Sequence, residues 1–299
     1  QYEKDREMAR LLKKYVLFAY AVLFSISLNA WSAESENGIL WQVSKSGLQS
    51  SYILGTIHSD DPAVTALPTK VNRALEQSSS FTAELDLNLT KMLQAQMQML
   101  LPENQSLQSI IGAERFKKAA ALMAAYGVPA EILSRMKPWA VAAQLSMPKS
   151  QTGIFLDLKL FQMAQVQGKK TFGLETMAEQ MSVFDNMTES QQLAMLDLAI
   201  KDHALMPGKI NTLIRLYVKS DLNGMKRFSD NEMKKIDPSL SRIMEDKLIN
   251  ERNHRMVKRM QPQLIAGKAF IAVGSLHLPG EQGILKLLKK QGYQVRVVY

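Results

Sequence analysis

The 299-residue sequence contains no cysteine. Disulfides, cysteine-ligated zinc and thiol nucleophiles are therefore excluded, while the compartment stays open, because exported proteins can also lack cysteine. Histidine is scarce too, with four copies, so imidazole chemistry must come from very few positions. The local signatures HExxH, GxSxG, the Walker loop and GxGxxG are all missing. Their absence removes the familiar zinc-protease, serine-hydrolase, nucleotide and dinucleotide readings. No Pro-, Gly- or Ser-rich linker divides the chain into independent domains. Beyond the first thirty or so residues, no apolar run is long enough to span a bilayer.

What is present is a normal globular balance, 46% hydrophobic and 22% charged, with a formal charge of +9. The densest basic run is RNHRMVKR at 252–259. It lacks interleaved aromatics and reads as a solvated helix face, so nucleic acid is not expected as a partner, while peripheral contact with an anionic membrane stays open. From Met8 the chain reads as three basic residues, an uncharged apolar run from Tyr15 to about Leu28, then small residues around Ala30-Trp31-Ser32. That is the order of a secretory signal. The expectation is a cleaved leader over 1–33, a mature chain beginning near Ala33 or Glu34, and a periplasmic or secreted location. The remainder, 34–299, is expected to form a single domain.

The rest is organised around a repeated strand ending. Residues 51–60, SYILGTIHSD, run from β-prone Tyr52, Ile53 and Leu54 into Gly55, with His58 three positions later. Residues 270–279, FIAVGSLHLP, repeat this with Gly274 and His277. In open α/β sheets, sites form at the carboxyl ends of strands, so two such strands side by side would converge two imidazoles.

Strands are expected at 39–44 and 51–57, joined by a turn over Lys45-Ser46-Gly47-Leu48. A helix opened by Pro68 follows, with Val71, Ala74 and Leu75 on one side, then an alternating strand at 80–87. Strand, helix, strand in that order predicts that the 51–57 and 80–86 strands are parallel neighbours. A helix over 153–167 is expected to line up Ile154, Leu158, Phe161 and Gln165. A short TFGL strand then delivers Glu175, and strands at 268–273 and 294–298 flank a helix at 283–290. The fold class is thus α/β, a mixed central sheet with a helical insertion at about 88–167 and 176–263.

The polar residues at strand ends are His58, Glu84, Asp86, Glu175 and His277. Two imidazoles with carboxylates can form a divalent metal's ligand set, and a spare carboxylate such as Glu175 can take a proton. Without a metal, a His–Glu pair can serve as a general base. Asp86 reads as a strand-end cap, and His203 and His254 as surface or capping residues. Arg252 and Asn253 either reach over the site or belong to a helix face.

Taken in order, SYILGTIH, AELD, KPW, G-x-x-x-D, GLET-x-x-EQ, ERN and VGSLHLPGEQGILKLLKKQGYQV resemble the TraB/GumN family, which includes the Tiki-type proteases. The resemblance runs from about Ile39 to the C-terminus. It implies an α/β core in which His58, His277 and Glu84 hold a divalent metal, Mn²⁺ or Co²⁺, with Glu84, Glu175, Arg252 and Asn253 as catalytic positions. The activity it implies is an extracytoplasmic metal-dependent hydrolase, a peptidase acting on peptide or protein. A metal-free esterase-like hydrolase and a non-catalytic peptide-binding regulator of the pheromone-shutdown type are the alternatives.

Overall fold

A computed structural model describes residues 37–87, 97–149 and 151–299. The leader reading over 1–33, and residues 88–96 at the start of the first helical run, lie outside the described residues.

Among the described residues, six strands form one sheet: β1 (Leu40–Ser44), β2 (Ser51–Thr56), β3 (Ser80–Leu85), β4 (Lys170–Glu175), β5 (Ala269–Gly274) and β6 (Gln294–Val297). Their order is β4-β3-β5-β2-β1-β6. β4, β3, β5 and β2 run parallel, and β1 and β6 join by antiparallel pairing. The sheet is therefore mixed, as expected of an α/β fold. β1 and β2 meet through a tight turn in which Leu48 N–H donates to the Lys45 carbonyl at 3.0 Å and Gly47 takes φ +77°, a conformation that favours glycine.

One expectation fails. β2 and β3 are parallel but not neighbours, because β5 lies between them and pairs with both (Ile53↔Ile271, Phe81↔Phe270). β5 is AFIAVG, apolar on both faces, and a strand of that composition belongs at the centre of a parallel sheet, where both faces are covered. The crossover from β2 to β3 leaves a slot for it. The pairing of the two GxxH strands is observed: Thr56 sits opposite Gly274 in parallel register.

Successive residues point to opposite faces of a strand, and the cores follow that period. Ile53, Ile271, Val273 and Leu174 belong to one core. Leu54, Phe81, Phe270 and Ala272 belong to the other, where the Phe81 and Phe270 rings stack 6.1 Å apart.

The helices sort by core. In chain order those that matter here are α1 (Thr69–Gln77), α2 (Pro138–Leu145), α3 (Leu156–Val166), α4 (Met177–Asp185), α5 (Glu189–Asp202), α6 (Met206–Val218), α7 (Glu251–Arg259) and α8 (Ile284–Lys290). α1, α3 and α6 cover the Phe81 face through Val71, Leu75, Leu156, Leu160 and Tyr217. α7 and α8 cover the other through Met256, Val257, Leu285 and Leu288. α2 and α5 instead share a third core around Trp139, Val141, Leu145 and Leu196, to which no strand of the sheet contributes.

α3 buries a different line from the one its sequence suggests. Leu156, Leu160 and Ala164 face the sheet, while Ile154 is exposed. Gly153 at φ +76° and an extended Phe155 delay the helix start to Leu156, rotating the face and setting Asp157 in the first turn. Among the described residues, no helix is long and apolar enough to cross a membrane.

β2 passes the turn after β5 without room for a side chain at Gly55. A Cβ there would stand 2.8 Å from Leu278 Cδ1, 2.9 Å from Ser275 Oγ and 3.1 Å from Ser275 Cα. Gly55→Ala is expected to lower stability by about 1–3 kcal/mol through overpacking, measured as a fall in urea midpoint at unchanged slope. A wild-type midpoint would contradict this packing.

Candidate functional site

The carboxyl ends of β2, β3, β4 and β5 bring two imidazole–carboxylate pairs to one edge of the sheet. The first is built on β5. Past Gly274 the chain enters a single 3-10 turn (Ser275–His277) that buries His277. Its Nδ1 lies 2.7 Å from Asn253 Oδ1 on α7, and Asn253 Nδ2 donates to the Gln282 carbonyl at 2.7 Å. That second bond fixes the amide, so its oxygen faces the imidazole and His277 must carry its proton on Nδ1. Nε2 is left with a lone pair, 3.9 Å from Glu84 Oε2. Burial pushes the His277 pKa below the ordinary histidine value, outweighing the opposing pull of Glu84, so the neutral ring persists at neutral pH.

Glu84 comes from β3 and reaches across β5. Its Oε2 accepts the Gly274 N–H at 2.7 Å, and its Oε1 accepts from Arg252 and, at 3.2 Å, from Gln180 of α4. Burial raises its pKa, but the positive charge that His277 takes on in acid, the Arg252 guanidinium and the Gly274 N–H outweigh this and bring it from 4.5 to about 2. The contact is close: a Cβ at Gly274 would lie 3.3 Å from Glu84 Oε2 and 3.4 Å from His277 Cδ2.

Arg252 joins Glu84 to Glu175. Its Nε donates to Glu175 Oε2 at 2.8 Å, while Nη2 serves Glu84. Arg255, one turn on, takes the other Glu175 oxygen at 2.8 Å, and Arg259 pairs with Glu179. The basic run at 252–259 is thus largely a ladder of guanidinium groups bound to carboxylates rather than a solvated face. The Glu175 side chain is fully enclosed by these partners, which makes it the anchor of two arginines.

The second pair is built on β2. His58 stands past the strand end with its side chain 64% exposed. Its ring stacks on Phe155 at 5.5 Å, and its Nδ1 lies 3.4 Å from Asp157 Oδ2. Asp157 Oδ1 accepts from Thr56 Oγ1 at 2.7 Å, whereas the buried Oδ2 has no hydrogen bond. Burial pushes the Asp157 pKa up, against His58 and Thr56. Backbone and side-chain bonds join the two segments: Leu156 N–H donates to the Ser59 carbonyl at 3.2 Å, and Asp60 accepts the Gln151 and Thr152 N–H groups, each at 2.6 Å.

His277, Glu84, Glu175, Arg252 and Asn253 are therefore one connected cluster, and His58 belongs to the neighbouring one. Among the described residues, no three His, Asp or Glu side chains stand close enough to hold a metal ion. Asp157 and Gln180 are the residues that sequence reasoning did not single out. Both were visible as letters, in G-x-x-x-D and in GLET-x-x-EQ, but nothing local says that a first-turn aspartate meets a histidine about a hundred positions away. His254 and His203 stand apart, the first 2.8 Å from Gln282 Oε1 and the second 3.3 Å from the Leu145 carbonyl.

The Glu84 geometry fixes a pH dependence. Its carboxyl has a lower pKa in the folded chain than the ordinary 4.5, so it contributes stability above that value and loses it as pH falls towards 2. The stability difference between wild type and Glu84→Gln should be greatest above pH 4.5 and should close towards pH 2 in thermal melts. A difference that is flat across this window would mean that Glu84 does not carry its charge in this arrangement.

The TraB/PrgY/gumN family model matches residues 39–297. The metalloprotease TIKI2 of Danio rerio is 25% identical over 88% of this chain and 61% of its own length. The TIKI2 of Xenopus tropicalis is also 25% identical, over 88% of this chain and 60% of its own. An uncharacterized protein, YbaP of Escherichia coli (strain K12), is 23% identical over 87% of this chain and 96% of its own length. The chain therefore spans about three-fifths of the TIKI proteins and nearly all of YbaP. The matched stretch begins in the segment leading into β1 and runs to the end of β6, taking in both histidine pairs and the whole sheet: the chain belongs to the TraB/PrgY/gumN family.

Proposed function

We propose that the chain is a metal-dependent hydrolase acting on peptide bonds outside the cytoplasm. The observation that carries this reading is the tautomer of His277, whose bare Nε2 is presented to Glu84 at the rim of the sheet. A histidine that donates one ring N–H to an oriented oxygen and offers the other nitrogen is the usual form of a metal ligand. The donor set fits a divalent ion of the Zn, Mn or Co kind, which imidazole and carboxylate both suit. His277 Nε2 and Glu84 are the two donors that would hold it; the His58–Asp157 pair stands apart from them, and among the described residues no third His, Asp or Glu is close enough to complete the set. Glu84 Oε2 accepts one N–H and so retains a free lone pair. When bound, such an ion polarises a carbonyl and acidifies water.

The residues present supply the rest. Arg252, whose own pKa is held up by Glu84 and Glu175 against the cost of burial, compensates the Glu84 charge and can orient a polar group of the substrate. His58, exposed and backed by Asp157, is placed to take up or release a proton at the mouth of the site. Asn253 keeps His277 in one tautomer and one orientation. The TIKI relatives, named metalloproteases, support the reaction class, and the signal-like order of the first 33 residues supports the location.

The test incubates purified protein with a peptide library, with Mn²⁺, Co²⁺ or Zn²⁺ and with a chelator. Turnover that chelation removes and metal restores is the expected result. His58→Ala, an exposed change that spares the core, should lower kcat by about 10² or more. Peptide binding without turnover under every metal would point instead to a binding protein, and chelator-resistant turnover to a metal-free hydrolase. For location, N-terminal sequencing of protein from its native host should give a start near Ala33 or Glu34. An intact leader in a cytosolic fraction would contradict export.

A further inference from the structure

The ring on which His58 stacks faces a cavity. Phe155, stacked on the imidazole, is also a wall of a cavity of about 460 Å³ bounded by Tyr126, Gln144, Met147, Pro148 and Lys149. A second cavity of about 400 Å³ shares Tyr126 and the Met147–Lys149 wall, and is lined further by Ser59 and Asp60, the residues that follow His58. The first cavity has two aromatic walls, a thioether and a proline ring. Such surfaces gain free energy by covering an apolar side chain, at roughly 25 cal/mol per Å² removed from water. Its charge is one-sided: Lys149 is the only formally charged side chain among the described residues that line it, and its Nζ lies 5.5 Å from the Tyr126 ring centroid.

On the reading that this site cleaves peptides, we propose that the cavity behind Phe155 is a specificity pocket for an apolar residue beside the cleaved bond, with an acidic residue next to it meeting Lys149. The pocket begins one ring away from His58, so its occupant lies within a residue or two of the reacting carbonyl, given about 3.4 Å per residue of extended chain. Gln144 offers both a donor and an acceptor for the peptide backbone. A basic neighbour in place of the acid would face the Lys149 ammonium and be disfavoured.

The experiment separates pocket from chemistry by measuring binding without turnover. The probes are fluorescein-labelled hexapeptides with Leu-Glu, Leu-Lys or Ser-Glu at the centre, N-methylated so that the central bonds resist cleavage, titrated by anisotropy into the full chain. Leu-Glu should bind tightest, with Ser-Glu weaker because the apolar side chain is gone. Lys149→Gln should weaken Leu-Glu by about threefold, and Lys149→Glu by about tenfold while favouring Leu-Lys, as expected of a partly exposed charge pair lost and then reversed. Lys149 is exposed, so neither change threatens the fold, and matching thermal melts check this. If the binding order holds while the cleavable peptides are not turned over, the pocket stands and the hydrolase reading falls. If peptides are cleaved but binding and KM ignore both the apolar residue and Lys149, the pocket is overturned and the hydrolase reading survives. Equal binding of all three peptides, or none, also overturns it.

Discussion

The bidentate hold of Arg252 on Glu84 and Glu175 is the constraint on which the rest of the site depends. Three charged groups taken out of water are costly unless each finds its complement, and the removal of one partner from such a set typically costs about 3–5 kcal/mol. Here the complement is close to complete. Glu175 takes Arg252 on one oxygen and Arg255 on the other, and Gln180 bridges the two carboxylates. The planar guanidinium suits this work because it presents several donors in fixed directions, which an ammonium cannot. The consequence reaches past electrostatics. α7 is locked to the ends of β3 and β4, and since Asn253 is the next residue along, His277 is locked with them.

The two GxxH segments are alike in sequence and unlike in place. His277 is 5% exposed, with one ring nitrogen committed and the other presented. His58 is largely open to solvent, stacked on Phe155 and set against a buried aspartate. Burial keeps the first neutral, and exposure makes the second able to change partners. The strands pair one residue out of step, Gly55 opposite Val273 and Thr56 opposite Gly274, so corresponding motif positions face opposite sides of the sheet. Past the glycines one segment then enters a 3-10 turn and the other runs on into a loop.

Much of the fold was legible because the informative signals were local. Alternation in 80–87, the apolar β5 and the turn at Gly47 each follow from a few neighbouring side chains. The pairing of β2 with β5 was legible for a different reason: a repeated motif implied a shared environment. What stayed hidden was long-range. Nothing in the 51–86 stretch says that a strand from the far end of the chain will separate β2 from β3. The face of α3 was misread because an extended Phe155 shifted its start, and Asp157 was overlooked because its partner, His58, lies about a hundred positions away. Glu175 read as a free carboxylate because its enclosing arginines lie some 80 positions away. Its neighbours in sequence carry no trace of them.

The central place of β5 also orders events during folding. Ala269 N–H meets Ser51 across 218 positions, and Gly274 N–H meets Glu84 across 190. Loop closures of that span are slow relative to local helix and hairpin formation. A chain emerging from the ribosome can form β1, β2 and the helical core at Trp139 long before β5 exists. Until then β2 and β3 flank an empty lane with open edges, the state in which strands most readily pair wrongly. The late strand that fills the lane also carries His277, so the candidate site cannot be assembled before the gap between β2 and β3 is filled.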